Sequence, residues 1–195
     1  MSVQAISDPI VSSEADPLIL VDENDEAQGV LDKAACHDGD GLLHRAFSVF
    51  IFNEHGEVLL QRRAEGKRLW PGYWSNSCCS HPRAGESVEE AAQRRTAQEL
   101  GLNCVLTPLY AFTYHAWFQD LGAEWEHCHV FVGQLTTPRP RVNRHEISAW
   151  RWIAPETLTL ELAATPERYT PWLALEWATL QEEHRRALPK ALGTA

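Results

Sequence analysis

The sequence predicts a single α+β domain arranged in α/β/α layers. Its 195 residues are enough for one domain with its own core, because a folded chain of this size buries about 70% of its unfolded surface. The predicted elements follow the order hairpin, helix, strands and helix, which is typical of such layers. No repeat or internal linker divides the chain. We assign residues 1–17 to a disordered polar arm, 18–188 to the domain and 189–195 to a C-terminal tail.

The first predicted elements are two apolar strands, residues 45–52 and 57–63, joined by the turn "NEHG" into a buried β-hairpin. A helix follows. Ser87 is its N-cap, Glu90 completes a capping box three residues later, and Gly101 stands where a left-handed residue ends a helix.

Two longer strands, residues 104–118 and 124–135, flank the turn "QDLG". Alternation along the second strand puts four residues on one face: Glu124, Glu126, Cys128 and Val130. A short strand is predicted at residues 149–153. Thr170 as N-cap and Pro171 as the first helical residue then open a helix that runs to about residue 187.

Composition and termini exclude several classes of protein. The net charge of −10 argues against a nucleic-acid binder, and an anionic substrate would need a local basic pocket. No stretch approaches the roughly 18 apolar residues of a membrane span, and the N-terminus lacks the regions of a signal peptide. The five cysteines form no CxxC pair and no secreted disulfide framework. We expect a cytoplasmic monomer with no nucleic-acid or membrane partner.

The segment "SNSCCSHP", residues 75–82, allows three interpretations. Cys78 and Cys79 could form a strained vicinal disulfide, His81 could bind a metal, or one thiol could be catalytic. The residues alone leave this question open. The carboxylates of Glu124 and Glu126 repel one another unless a cation or a proton lies between them, although a solvated sheet edge is an equally good explanation.

Other polar residues also have ordinary explanations. Glu99 could form an i,i+4 ion pair with Arg95. His37 and His44 could be core or surface histidines. The remaining basic candidates could be plain surface charge: Lys33, Arg63, Lys67 and Arg68.

The motifs "NSCCSHPRAGES" and "RRTAQELGL" resemble the signature of type I isopentenyl-diphosphate isomerases, which belong to the Nudix-fold superfamily. Further similar stretches include "EWEHCHVF" and "TPWLALE", so the resemblance runs from about residue 20 to 180. It implies a mixed β-sheet sandwiched by helices. It also implies interconversion of isopentenyl and dimethylallyl diphosphate, in isoprenoid biosynthesis, through a tertiary carbocation.

The general Nudix box is only partly present. Its retained residues are Glu86, Arg94, Glu99 and Gly101. Its replaced residues are Ser80 for Gly, and Arg95 and Gln98 for two glutamates. Because such glutamates hold the metal cluster that activates water in the hydrolases, their loss argues against hydrolysis.

The resemblance implies two metal sites and a basic substrate pocket. One divalent ion, Zn²⁺ or Mn²⁺, is expected on His37, His44, His81, Glu124 and Glu126. A Mg²⁺ ion is expected on Glu99 and the diphosphate. The residues expected around the diphosphate are Lys33, Arg63, Lys67 and Arg95.

The resemblance also implies the catalytic groups. Cys79 and Glu126 are expected on opposite faces of the substrate, and Trp172 is expected to face the carbocation. Glu126 could pass a proton directly or through Tyr114, and the group that gives the first proton stays unassigned. We expect nearby cations to lower the pKa of the Cys79 thiol, and Cys78 to be dispensable. Two alternatives are a Nudix hydrolase of a diphosphate, and a non-catalytic metal-binding or thiol-redox protein.

Overall fold

The computed structural model describes residues 8–136 and 138–189. Its strands are β1 (Pro17–Val21), β2 (Ala27–Asp32), β3 (His44–Phe52), β4 (Val58–Arg63), β5 (Trp74–Ser75), β6 (Cys78–Ser80), β7 (Leu106–Phe118), β8 (Gly122–Gln134) and β9 (Ile147–Ile153). Its helices are α1 (Lys33–His37), α2 (Val88–Leu100), α3 (Pro155–Ala164) and α4 (Pro171–Glu182), and a 3-10 turn lies at Pro166–Arg168. Among the residues that the structure describes, no helix has the length and apolar character needed to cross a membrane.

Strand β3 is the centre of one mixed sheet. It runs parallel to β8, from His44 opposite Glu126 to Phe52 opposite Gln134. On its other edge it pairs antiparallel with β1, β6 and β4 in turn. Both faces of β3 are apolar because helices cover the sheet on both sides.

The two faces of β3 enter two separate cores. Alternate residues Phe47, Val49 and Ile51 pack with Ala91, Ala92 and Leu100 of α2. The intervening residues Phe50 and Phe52 pack with Leu173, Trp177 and Leu180 of α4, and Leu158 of α3 joins them. The α/β/α layers predicted from the sequence are therefore confirmed.

Local sequence signals correctly predicted both ends of α2 and the start of α4. Helix α2 begins after Ser87 with the complete capping box to Glu90, and Gly101 ends it at a φ of 64°. Helix α4 begins at Pro171 as predicted but ends at Glu182, so the predicted end near residue 187 is wrong. The chain there forms a turn closed by a hydrogen bond from the Ala187 amide to the His184 carbonyl. The sequence analysis missed β1, β2, β5, β6, α1 and α3.

The predicted hairpin of β3 and β4 is only partly correct. The two strands pair only where Phe52 faces Val58 and then diverge. The rest of this edge of β3 is occupied by β6 and β1, whereas β4 pairs with β5 and β9. Partners distant in sequence thus replace the local pairing.

The prediction of a disordered arm does not hold for residues 8–16, and β1 already begins at Pro17. The side chain of Asn143 donates to the Pro9 carbonyl at 2.7 Å, the Arg144 amide donates to Asp8 at 2.8 Å, and the Ser12 hydroxyl donates to Glu146 at 2.6 Å. These partners satisfy the polar groups of the segment and tie it to the loop before β9. Residues 1–7 of the predicted arm and residues 190–195 of the predicted tail lie outside the described residues.

Gly122 fixes the distance between β8 and α1. A Cβ atom at this position would lie 2.1 Å from the carbonyl oxygen of His37, the last residue of α1. Gly122 also has a φ of 153°. The close approach brings the predicted metal ligand His37 to the beginning of the strand that carries Glu124 and Glu126.

We predict that Gly122→Ala displaces His37 and lowers both metal content and stability. The clash should reduce the free energy of unfolding by about 2 kcal/mol. Denaturant unfolding and elemental analysis of the purified protein would measure the two effects. Gly29→Ala is the matched control, because Gly29 has a φ of 148° but no atom within 4 Å of its added Cβ. Equal metal content in the two variants would contradict the prediction.

Candidate active site and metal centre

Three imidazoles and two carboxylates converge at one end of the sheet. His37 ends α1, His44 begins β3, His81 follows β6, and the two glutamates lie on β8. The parallel register puts His44 directly opposite Glu126. The His44 Nε2 atom is 3.3 Å from Nε2 of both His37 and His81. Glu124 Oε2 is 3.0 Å from His37 Nε2, and Glu126 Oε1 is 3.0 Å from His81 Nε2.

This cluster has the chemistry of a divalent metal site. His44 Nδ1 donates to the Leu42 carbonyl at 2.7 Å, which directs Nε2 into the cluster, where the neutral ring would offer a lone pair to a metal. Burial lowers the pKa of His81 to about 4, so this imidazole is neutral at pH 7. The buried Oε2 atom of Glu124 lies close to His37 Nε2 but makes no well-aligned hydrogen bond among the described residues. Ligand atoms of the three histidines and Glu124 all lie within 4.8 Å of one another, which fits a cation bound among them.

Glu126 connects this cluster to Tyr114. The two residues are opposite each other on β7 and β8, and the Tyr114 hydroxyl donates to Glu126 Oε2 at 2.7 Å. Burial acts to raise the pKa of Glu126, but hydrogen bonds with His44 and His81 outweigh it and hold that pKa well below its usual range. Burial, together with the charge of Glu126, raises the pKa of Tyr114. Tyr114 therefore remains a proton donor beside an ionised carboxylate.

Strand alternation separates the two adjacent cysteines. Cys78 is completely buried in the core beneath α2, whereas Cys79 is partly exposed to the cavity described below. The Cys79 thiol donates to Asn76 Oδ1 at 2.6 Å and accepts from Trp172 Nε1 at 3.2 Å. Both cysteines are free thiols, so the vicinal disulfide is excluded in this structure.

The prediction that cations lower the pKa of Cys79 is wrong for the protein groups around it. Burial, and then the negative charge of Glu176, raise this pKa to about 12. The surrounding protein groups therefore keep the thiol neutral at pH 7, so that it can act as a proton donor.

A cavity of about 260 Å³ lies between the thiol and the carboxylate cluster. The predicted site residues that line it are Lys33, Arg63, Lys67, Cys79, His81, Arg95, Tyr114, Glu124, Glu126 and Trp172. The sequence analysis missed Ser12 and Arg83, which also line it, and did not predict that the Nudix-box residue Arg94 does so. Three predicted residues lie behind the lining: His37, His44 and Glu99.

Acidic residues hold two of the basic residues that line the cavity, Lys67 and Arg95, in place. Lys67 and Arg95 both pair with the buried carboxylate of Glu146, and Arg95 also pairs with Glu99 at 2.7 Å. Despite burial, the neighbouring Lys67 and Arg95 hold the pKa of Glu146 at about 2. The i,i+4 pair considered from the sequence is thus present, and the carboxylate of Glu99 faces Arg95 instead of the cavity.

Arg63 is held differently from the other cations. Its guanidinium donates to the backbone carbonyls of Leu69 and Trp70 and lies 5.4 Å from the centre of the Trp172 ring. These contacts keep the charge at the cavity wall, and no carboxylate of the described residues forms an ion pair with Arg63.

Sequence reasoning also missed Glu176, a completely buried carboxyl on α4. Burial raises its pKa to about 8. The signal that could have found it is the single acidic residue within the apolar stretch "PWLALEW".

A second cluster, Asp25, His127 and His129, lies on the opposite face of β8. His129 Nε2 is 3.0 Å from Asp25 Oδ2, and Arg45 Nε is 2.7 Å from Asp25 Oδ1. Because Arg45 already neutralises this carboxylate, the cluster is explained by an ordinary ion-pair network.

Known proteins resemble this chain in sequence and in fold. Residues 42–173 match the NUDIX domain. The chain is 43% identical over 171 residues to isopentenyl-diphosphate Delta-isomerase from Halorhodospira halophila, which covers 83% of this chain and 98% of that protein. It is 47% identical over 162 residues to the isopentenyl-diphosphate Delta-isomerase from Nocardia farcinica, covering 81% and 90% of the two chains.

A solved structure gives the same result for the fold. The crystal structure of DR0079 from Deinococcus radiodurans has a TM-score of 0.69 and 26% identity to this chain, and covers 84% of this chain and 98% of that one. The NUDIX match extends over the elements that carry the Cys79 thiol, His44, His81 and the carboxylates of Glu124 and Glu126. The chain therefore belongs to the isopentenyl-diphosphate Delta-isomerase family of NUDIX-domain proteins.

Proposed function

We propose that the protein interconverts isopentenyl diphosphate and dimethylallyl diphosphate, as its relatives' names indicate, and so serves isoprenoid biosynthesis. The observation that carries this proposal is that a thiol, Cys79, and a carboxylate, Glu126, line the same small cavity. The basic residues along the cavity suit a diphosphate. The monomeric state and the cytoplasmic location stay predictions.

The reaction needs two proton-handling groups. A proton is added at one end of the alkene and another is removed two carbons away, through a tertiary carbocation that must not meet water. One group on one side cannot easily serve both carbons. We assign these steps to Cys79, whose thiol is neutral, and to Glu126, which is ionised and hydrogen-bonded to Tyr114. Because the reaction is reversible, each group donates in one direction and accepts in the other.

Trp172 is assigned to the carbocation. Its indole lines the cavity and is anchored through Nε1 to Cys79 and to the Ser75 hydroxyl at 3.1 Å. An aromatic face can stabilise a desolvated cation by about 2 kcal/mol. Tyr114 lies next to it, with ring centres 6.1 Å apart, so the apolar wall consists of π faces.

The metals are part of the proposal. A Zn²⁺ or Mn²⁺ ion would be held by His37, His44, His81, Glu124 and Glu126, and would supply positive charge that keeps Glu126 ionised and oriented. Mg²⁺ would accompany the diphosphate, which Lys33, Arg63, Lys67 and Arg95 would bind. For Glu99 to hold Mg²⁺, its ion pair with Arg95 has to open.

Within residues 8–136 and 138–189, the contacts of the Nudix-box residues do not favour the hydrolase alternative. The retained box residues Glu86 and Arg94 pair with each other at 2.6 Å, and Glu99 pairs with Arg95. Neither carboxylate lines the cavity. The other alternative, a non-catalytic metal-binding or thiol-redox protein, does not explain the basic residues that line the cavity.

The direct test is to incubate the protein with isopentenyl diphosphate and Mg²⁺ and to follow proton and phosphorus NMR together. Dimethylallyl diphosphate should accumulate without phosphate release. Phosphate release would favour the hydrolase, and an unchanged spectrum would favour the non-catalytic protein.

Cys79→Ala should lower kcat by about 10²- to 10⁴-fold, the usual range for loss of a proton-transfer group. Cys78→Ser is the matched control, because Cys78 is buried beneath α2 and should affect stability more than turnover. Loss of activity in Cys78→Ser with activity retained in Cys79→Ala would refute the assignment of the thiol.

His81→Ala should remove most of the bound transition metal and the activity with it, because it deletes one of the converging imidazoles. His55→Ala, which changes an exposed histidine in the turn after β3, should change neither. Elemental analysis after dialysis would measure metal content. A full complement of metal in His81→Ala would contradict the ligand set.

Lys33→Ala should raise KM for isopentenyl diphosphate by about tenfold or more, the value of one lost charge-assisted hydrogen bond. Lys33 lines the cavity, and its only ion pair among the described residues is a long one, 3.8 Å to Glu14. Removing the lysine therefore leaves little unpaired charge behind. Arg139→Ala, at an exposed position outside the cavity lining, should leave KM unchanged. Equal KM values in both variants would exclude Lys33 from substrate binding.

A further inference from the structure

Glu176 is a buried acid that the mechanism above does not use. It lies on α4 one turn after Trp172, its side chain is fully excluded from solvent, and its Oε2 atom has no hydrogen-bond partner. An ionised carboxylate in such a place is costly without a cation beside it. The position therefore calls for a neutral, protonated carboxyl.

Among the groups around Glu176, the charge of Glu126 favours the neutral form, whereas hydrogen bonds from Ser48 and Cys128 favour the ionised form. Cys128 and Glu126 face it from β8, Cys79 from β6 and Ser48 from β3, and on β7 the Tyr110 hydroxyl donates to its backbone carbonyl at 3.2 Å. No Lys, Arg or His of the described residues is among the groups that shift it. Burial is the largest effect and raises the pKa of Glu176 to about 8, against opposing hydrogen bonds from Ser48 and Cys128.

A continuous chain of polar groups links Glu176 to the catalytic thiol. The Cys128 thiol is 3.6 Å from Glu176 Oε1 and 3.5 Å from Ser48 Oγ. The Ser48 hydroxyl is in turn 3.5 Å from Cys79 Sγ. Cys79, Ser48 and Cys128 each have one proton to donate and a lone pair that can accept one.

The other partners of Cys79 on this side cannot replace that route. The side-chain oxygen of Asn76 only accepts, and the indole of Trp172 only donates, so neither passes a proton on. The Ser75 hydroxyl is 3.8 Å from Cys79 and leads to Thr170 and Asn76, not to a titratable group. The route from the thiol through Ser48 is therefore the one that leads to a carboxylic acid, Glu176.

We propose that Glu176 is the proton store of Cys79, reached through Ser48 and Cys128. This inference rests on the role of Cys79 in the proposed function, and Glu176 acts as a positioning residue because it works through other groups. It gives the active site a further carboxyl, behind the thiol and out of contact with the substrate.

The transfer balances without any further reactant. After Cys79 gives its proton to a substrate carbon, Sγ takes the proton of Ser48, Ser48 takes that of Cys128, and Cys128 takes that of Glu176. Three bonds to hydrogen break and three form, and the negative charge moves from the Cys79 sulfur to the Glu176 carboxylate. When Cys79 takes a proton from the substrate, the same steps run in reverse.

The test compares Glu176→Gln with wild type, both loaded with metal and assayed with isopentenyl diphosphate and Mg²⁺ across pH. Glutamine keeps the shape of the side chain but has no proton to release. The matched control is Glu182→Gln, an exposed position at the end of the same helix. Circular dichroism and thermal melting would establish that each variant is folded.

We expect kcat of Glu176→Gln to fall by about tenfold or more, with KM changed less than about threefold, because Glu176 is outside the cavity lining. Glu176 is protonated below its pKa, so wild-type kcat should decline as pH rises through about 8. That decline should be absent in Glu176→Gln and present in Glu182→Gln. A variant with wild-type kcat, or one that keeps the decline, would overturn the proposal.

A second measurement uses only the wild-type protein and so does not depend on whether a variant folds. In wild-type protein labelled with ¹³C at glutamate carboxyls, one carbon should titrate with a midpoint near pH 8. If all of them titrate in the ordinary acidic range, the store does not exist. A wild-type protein that does not convert isopentenyl diphosphate would refute the proposed function, and the carbon titration would still decide whether Glu176 holds a proton.

Discussion

The parallel pairing of β3 with β8 is the constraint on which the site depends. Its register sets His44 against Glu126, and one residue of slip would turn every side chain of β8 to the other face. The same pairing brings Ser48 and Cys128 to the interior, behind the thiol of β6. Gly122, at the beginning of β8, then lets α1 approach closely enough for His37 to join the cluster.

Burial on both faces of this sheet explains the electrostatics of the site. Low-dielectric surroundings make isolated charge expensive, so each buried ionic group has a partner or changes its protonation. Glu146 remains ionised because Lys67 and Arg95 contact it. Glu176 has no such cation among the described residues, and its pKa rises. The same burial that would keep water from the proposed carbocation therefore also decides which groups carry protons.

Local features of the site and fold could be predicted from the sequence, and long-range ones could not. The capping box at Ser87 and the shared face of Glu124 and Glu126 depend only on neighbours in the chain. The divergence of β4 from β3 and the ordering of residues 8–16 depend on partners far away in sequence, such as Glu146. The pKa of Cys79 was wrongly predicted because burial under Trp172 and near Glu176 leaves no trace in the local motif.

The central claim is that two different groups, on separate strands, add and remove the protons. The most direct test is to convert isopentenyl diphosphate in D₂O and to locate deuterium in the product by NMR. The account predicts solvent deuterium at the carbon that receives a proton, because the donor is not the group that removed the other one. A product without deuterium would show that a single group carries one proton between both carbons, and would contradict the pairing of Cys79 with Glu126.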